Sequence, residues 1–402
     1  MAYGSATFLD LTLGTFSEDW LAGYSLTRTF ILFLVILVIV ATINIFSSHL
    51  LAVINNISVW WHVAGAAAVI VILWALPEQH ASFSTVFATT VNNTGFFGGS
   101  TSGFGFLLFV LPMSAILTQY TITGYDASAH LSEETKSAAD GAAKGIWRSI
   151  FYSAIGGWIL LLTFLFAVQD VDGVTKGGGA VATIFSQAMD SKWVGIVLLI
   201  STAGQLFCTT ACQTSASRML FAFSRDRAVP GHQLWAKLST RKVPANAVMV
   251  TAVIAVIITL PALVKVDING APPVPVAFFA VVSIGVVGLY LCFAVPIYFR
   301  WKAGDSFPLG RWNLRGHHKW MAPLALAEII ITSIIAMFPT SLGGAPWDDS
   351  FEWKYVNYTP LLVGGVLILL FFIYWHASVK NWFTGPVRQI DITGEELEGG
   401  VS

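Results

Sequence analysis

The sequence predicts an all-α polytopic membrane protein with about nine transmembrane helices. Three observations carry this prediction. The 402 residues are 55% hydrophobic and only 11% charged, whereas soluble domains are about 25% charged. The apolar residues gather in runs of roughly 20, the length that crosses about 30 Å of hydrocarbon as a helix. Lysine and arginine concentrate in alternate connections between those runs, as they do in polytopic membrane proteins.

The runs place spans at 29–51, 58–76, 103–125, 146–168, 193–223, 246–264, 275–299, 322–340 and 359–377. Residues 3–16 are apolar but short, and read as the tail of a span whose beginning is absent. No stretch is long enough for a water-soluble domain, so 1–402 reads as one transmembrane domain, with 379–402 as a short cytoplasmic tail. The first residues, MAYGSATFLDLTLGTF, lack the basic start and clean cleavage site of a signal peptide.

Orientation follows from charge. Of the 21 lysines and arginines, sixteen fall in one set of connections, including Lys144, Arg148, Arg225, Lys237, Arg241, Arg300 and Lys319. The other five are Arg28, Lys176, Lys192, Lys265 and Lys354. The basic set is expected in the cytoplasm, with the C-terminus. Trp60, Trp61, Trp193, Trp301, Trp320 and Trp375 lie near the span ends assigned above, as interfacial anchors do. A net charge of −1 gives no reason to expect a nucleic-acid partner. Cys208, Cys212 and Cys292 all sit inside apolar runs, which argues against a disulfide framework.

One stretch breaks the pattern. After GFGFLLFVLPMSAILTQYTI the chain turns to TGYDASAHLSEET while it should still be crossing the membrane. Gly124 permits a break, and Pro112 adds a kink upstream. Backbone groups freed by such a break are tolerated only where they line a cavity or are buried in protein. Secondary transporters hold substrate at breaks of this kind. The competing reading is that Asp126 merely N-caps a cytoplasmic helix over 127–136. HLSEE resembles an inverted zinc motif but lacks its final histidine, so a solvated helix is expected there.

Other polar residues inside the apolar runs are few. Ser201, Gln205, Cys208 or Thr209, and Cys212 recur at spacings of three and four and share one helix face, which either packs against a helix or lines a cavity. His62, in WWHVAGAAAVIVILWAL, is ionisable and therefore a functional candidate, although near the cytoplasmic end of its predicted span. Glu328 reads as an interfacial or helix-pairing carboxylate. The glycine-rich stretches at 95–105 and 177–179 lack the lysine of a phosphate-binding loop and read as flexible extracellular loops.

TGYDASAHLSEETKSA with the following GIWRSIFYSAIGGW, SRMLFAFSRDRAVPGH at 217–232, and KVPANAVMV at 242–250 resemble the amino acid–polyamine–organocation permeases. The likeness is strongest to their amino acid/choline (GABA permease) branch. The resemblance implies a partial LeuT-like inverted-repeat fold in which 103–125 is family helix 6 and 193–223 is family helix 8. It implies a substrate site at Tyr120, Thr123, Gly124, Tyr125 and Asp126, with Cys212 beside it, and a proton-coupling role for His62. Family helices 1, 2 and nearly all of 3 have no counterpart, and the substrate contacts of family helix 1 are among them.

The resulting expectation is a secondary transporter of amino acids or related amines such as GABA or choline, in the plasma membrane. No cofactor or metal is expected, proton coupling aside. The partners expected are a small-molecule substrate and the lipid bilayer, with no sign of oligomeric state. The alternative is a truncated, non-transporting fragment or membrane partner subunit. An intramembrane enzyme is not expected, because the ionisable groups are scattered.

Overall fold

The computed structural model describes residues 1–46, 48–132, 135, 137–176, 180–263 and 276–385. The described residues form helices and connections without a β-strand, and nine helices are long and apolar enough to cross a membrane. The elements that position the site are α1 (Ala2–Phe16), α2 (Leu26–Phe46), α3 (Ser48–Ala75), α4 (Leu111–Ile122), the short α5 (Ala127–His130), α6 (Ala138–Phe166), α7 (Ser191–Arg225), α8 (Ala245–Thr259), α9 (Val276–Ala303), α10 (His318–Met337) and α11 (Leu369–Ala377).

Helix α7 is the central element. Its 35 residues correspond to about 50 Å of helix. Asp190 caps the start, accepting from the Trp193 N–H at 3.1 Å. Water-exclusion gives little help in packing one apolar helix on another within lipid, so close backbone approach and interhelical hydrogen bonds matter more. Helix α7 uses both. Ser5 and Thr209 hydroxyls meet at 2.9 Å, and so do Thr12 and Thr202. These pairs run in opposite order along the chain, so α1 lies antiparallel to α7. Near the start of α7, Gly195 allows contact with Phe16, whose ring would lie 2.6 Å from an added Cβ.

Three more helices dock on α7 in the same way. On α2, Asn44 donates to the Thr210 carbonyl at 3.4 Å and accepts from the Thr214 hydroxyl at 2.6 Å. On α8, the Val248 carbonyl and Thr251 hydroxyl accept from Gln213 at 2.8 and 2.9 Å. On α3, the Trp61 indole donates to the Ile200 carbonyl at 3.0 Å. Apolar packing fills the rest: Tyr3, Phe30, Phe33, Ile36 and Val40 between α1 and α2, and Val69, Leu73, Val197 and Leu198 between α3 and α7.

A buried charge holds the middle of α1. Asp10 accepts from the Trp20 indole at 2.8 Å, the Thr29 hydroxyl at 2.7 Å and Arg28 at 2.6 Å. Four donors and acceptors from three segments thus meet in a region that read as simply apolar.

Four sequence expectations change. Helix α3 begins at Ser48, because Asn55, Asn56 and Ser58 continue the helix and no Gly or Pro interrupts it; a connection at 52–57 is absent. Trp60, Trp61 and His62 therefore lie mid-helix and not at a span end. Glu328 is the eleventh residue of α10, which starts at His318, so it too sits at mid-span. The glycine-rich stretch 95–105 is pinned: Asn92 donates to the Phe96 and Ser100 carbonyls, Phe96 is buried, and the Leu342 N–H bonds to the Thr94 carbonyl at 3.1 Å. Residues 177–179, Glu133, Glu134 and the tail beyond 385 lie outside the described residues.

Removing Asp10 leaves Arg28 facing a poorly solvated site without its acid, which costs about 3 kcal/mol. Removing one interhelical side-chain pair in a membrane costs about 1 kcal/mol. Asp10→Ala is therefore expected to lower the unfolding temperature in detergent more than Asn44→Leu. Equal losses, or a larger loss for Asn44→Leu, would contradict this ranking.

Candidate functional site

The helix break lies where the sequence places it. A π-helical turn over Phe106–Val110 runs directly into α4, so Pro112 lies inside a continuous helical path just after the irregular turn. Helix α4 ends at Ile122. Thr123 is extended at φ −67°, ψ 158°, and Gly124 has φ +92°. This last angle favours glycine strongly. The Thr123 hydroxyl donates to the Tyr120 carbonyl at 2.6 Å, and the Ala127 N–H to the Gly124 carbonyl at 3.1 Å. An added Cβ at Gly124 would meet nothing within 4 Å, so the break opens on free space.

Asp126 does not cap α5 with its side chain. Its carboxylate instead accepts from His130 Nε2 at 2.8 Å, and α5 stops at His130, short of the expected helix to 136. Both groups of this pair are thereby engaged. Tyr125 turns toward α9, its ring 5.1 Å from that of Phe293.

A cavity of about 480 Å³ opens on the other side of α4. Its polar lining comes from His62, Tyr120, Thr121, Ser201, Gln205 and Cys208. His62 Nδ1 contacts the Ser58 carbonyl at 2.7 Å. A carbonyl only accepts, so Nδ1 carries the proton and Nε2 is the free ring nitrogen. It faces α7 at Gly204, where an added Cβ would lie 3.5 Å from Nε2. Cys208 and Cys212 lie one turn apart on α7. His62, Gln205 and Cys208 sit near the middle of their helices, the depth at which transporters hold substrate, whereas Tyr120 lies in the last turn of α4.

Of the residues singled out from sequence, Tyr120, His62 and three of the α7 stripe meet around one cavity. Thr123, Gly124, Tyr125 and Asp126 are outside its lining, at the cytoplasmic end of α4 by the expected orientation. Cys212, one turn beyond Cys208, does not line the cavity, and Thr209 of the stripe is turned to α1. Sequence reasoning missed the Gln119–Glu328 pair: the Gln119 amide donates to the Glu328 carboxylate between α4 and α10. The signal was present, since Gln119 is the lone amide in a long apolar run.

Comparison with known proteins agrees with this architecture. The family model for amino acid permeases matches residues 1–373. The Arabidopsis thaliana amino-acid permease BAT1 is 32% identical over 366 residues, 88% of this chain and 66% of that protein. Its Oryza sativa homolog is 34% identical over 370 residues, 87% of this chain and 65% of that protein. A putative polyamine transporter of Candida albicans is 24% identical over 292 residues, 69% of this chain and 50% of that protein. The chain thus spans about two thirds of the length of the two plant relatives. With nine apolar helices among its described residues, a helix break after α4 and a family match over residues 1–373, the chain belongs to the amino acid permease family.

Proposed function

We propose that this chain moves amino acids or related small amines across a membrane by alternating access, with substrate held beside the broken helix. The observation that carries the reading is the break itself. Extended Thr123 and left-handed Gly124 end α4 inside the span, just beyond Tyr120, which lines a cavity with six polar side chains. The N–H groups of Gly124, Tyr125 and Asp126 lie in the turn between α4 and α5, outside the regular helical hydrogen-bond ladder. Such N–H groups attract a carboxylate, and unwound carbonyls attract an amine. The permease relatives support amino acids as cargo, and the polyamine transporter supports amines. GABA and choline fall within that range, and the plasma membrane is the proposed location.

His62 is proposed to exchange the coupling proton. Its free Nε2 faces the cavity, with Cys208 and Tyr120 as the titratable neighbours across it. Imidazole is the side chain that titrates nearest neutral pH.

Uptake of a panel of labelled amino acids and amines into proteoliposomes tests the reading. Gly124→Leu is expected to abolish uptake of whatever is carried while leaving the folded yield near wild type. The added side chain would meet open space and not protein, at a backbone strain of about 1–3 kcal/mol. Undiminished uptake would remove the break from the substrate site. A chain that neither takes up nor binds any member of the panel would favour the alternative of a non-transporting membrane partner. His62→Gln is expected to flatten the pH dependence of uptake, and an unchanged profile would return His62 to a packing role. For orientation, single cysteines at Ala139 and Ser239, in a background lacking native cysteines, are expected to resist an impermeant thiol reagent in intact cells. Strong labelling of both would reverse the assigned topology.

A further inference from the structure

The cavity accounts for one face of α4. On the opposite face the helix meets a carboxylate at mid-membrane. Glu328 lies ten residues into α10, about 15 Å from the start of that helix. Its Oε1 accepts from the Gln119 side-chain N–H. Tyr290 of α9 donates its hydroxyl to the Gln119 main-chain carbonyl at 3.4 Å. The titratable groups facing Glu328 are Tyr290 from α9 and Tyr125 from the end of the broken helix, with Asp126 beside Tyr125. Among the described residues no lysine, arginine or histidine forms an ion pair with it. The other side-chain atom of Gln119 is the second half of the observation. Its Oε1 is buried and has no donor.

We infer that Glu328 and Gln119 form a proton-binding site of the transport cycle, separate from His62 and set on the far side of the broken helix. The inference rests on the proposed transport function. Two helices that only need to be pinned in lipid can be joined by neutral amides. An ionisable side chain at that depth is costly and is characteristic of proton paths. This pair can hold either protonation state with one hydrogen bond kept. As a carboxylate, Glu328 accepts from Gln119 Nε2, as it does in the structure. When a proton adds to a carboxylate oxygen, a new O–H bond forms and the negative charge is lost. A half-turn of the Gln119 amide then brings its Oε1, now without a donor, to accept from that O–H. The bond from Nε2 breaks in the same movement.

The consequence reaches the break by two short routes. Gln119 precedes Tyr120, which lines the cavity, and lies four residues before Thr123. Tyr290 also packs on Phe293 at 6.1 Å, and Phe293 lies against Tyr125 at 5.1 Å. Protonation of Glu328 therefore changes the hold of α9 and α10 on the segment that ends at Gly124.

Two readouts test this, one of them independent of transport. In purified protein, the infrared carbonyl band of a protonated carboxylic acid is followed as pH falls, in wild type and in Glu328→Gln. In parallel, a cysteine at position 123 (Thr123→Cys, native cysteines removed) is labelled with a thiol reagent across the same pH range. A band present in wild type and missing in Glu328→Gln is expected. So is a pH-dependent change in the labelling rate, beyond that of free thiol, that disappears in Glu328→Gln. Gln119→Leu serves as a second variant: it should keep the band but lose the pH-dependent labelling. In proteoliposomes, substrate-driven proton movement that survives in His62→Gln should vanish in His62→Gln/Glu328→Gln. An identical band in wild type and Glu328→Gln, or pH-dependent labelling unaltered by Glu328→Gln, would overturn the inference. If wild type carries no substrate at all, the transport proposal fails, while the infrared and labelling results still decide whether Glu328 takes a proton and moves the break.

Discussion

A helix in lipid is already surrounded by hydrocarbon, so apolar side chains alone do not tell it where to pack. In this protein the direction comes from polar atoms on α7. Thr202, Thr209, Thr210, Gln213 and Thr214, together with the Ile200 carbonyl, bond to α1, α2, α3 and α8. The same helix then presents Ser201, Gln205 and Cys208 to the cavity. A single helix thus sets both the positions of its neighbours and one wall of the candidate site. Each hydrogen bond is worth only about 1 kcal/mol, but several of them converge on one rigid element.

The broken helix has the opposite character. Its stability against α7 is low in polar contacts, and its end is irregular. Thr123 and Gly124 satisfy part of their own backbone locally, through Tyr120 and Ala127. That local satisfaction lets the break exist before any substrate arrives. A segment that a ligand must reach, and that must move, is drawn from the less restrained part of a structure. Here a well-bonded bundle around α7 stands on one side of α4, and the pair α9–α10 stands on the other.

Much of this was legible in the sequence. The span count, the break at Gly124 and the polar stripe on α7 follow from hydropathy, glycine placement and helical spacing. What could not be read was depth. The start of α3 was obscured by Asn55 and Asn56, which are soluble in the interface yet compatible with helix, and the error carried His62 away from mid-membrane. The short apolar stretch 3–16 concealed Asp10, because its partners Trp20, Arg28 and Thr29 become neighbours only after the chain reverses. Side-chain pairing across helices, as between Gln119 and Glu328, is a tertiary fact: the residues are 209 positions apart. The glycine-rich loop misled for a related reason, since composition suggests mobility but Asn92 and Leu342 supply the restraints.

That restrained loop has a mechanical consequence. The Leu342 N–H holds the Thr94 carbonyl, Phe96 packs on Ala345, and Phe109 meets Phe338 edge-to-face at 5.3 Å. The entry to the broken helix and the exit of α10 are therefore clamped together at one membrane face. From Phe106 to Thr123 the chain runs about 25 Å as helix. Clamped at one end and more lightly held at the other, it behaves as a lever: a tilt of about ten degrees at the clamp swings the far tip by about 4 Å. The π turn and Pro112 lie close to the fulcrum, where a helix bends most readily. Small rearrangements among the loops at the clamped face would thus arrive at Gly124 as the largest displacement anywhere along the arm.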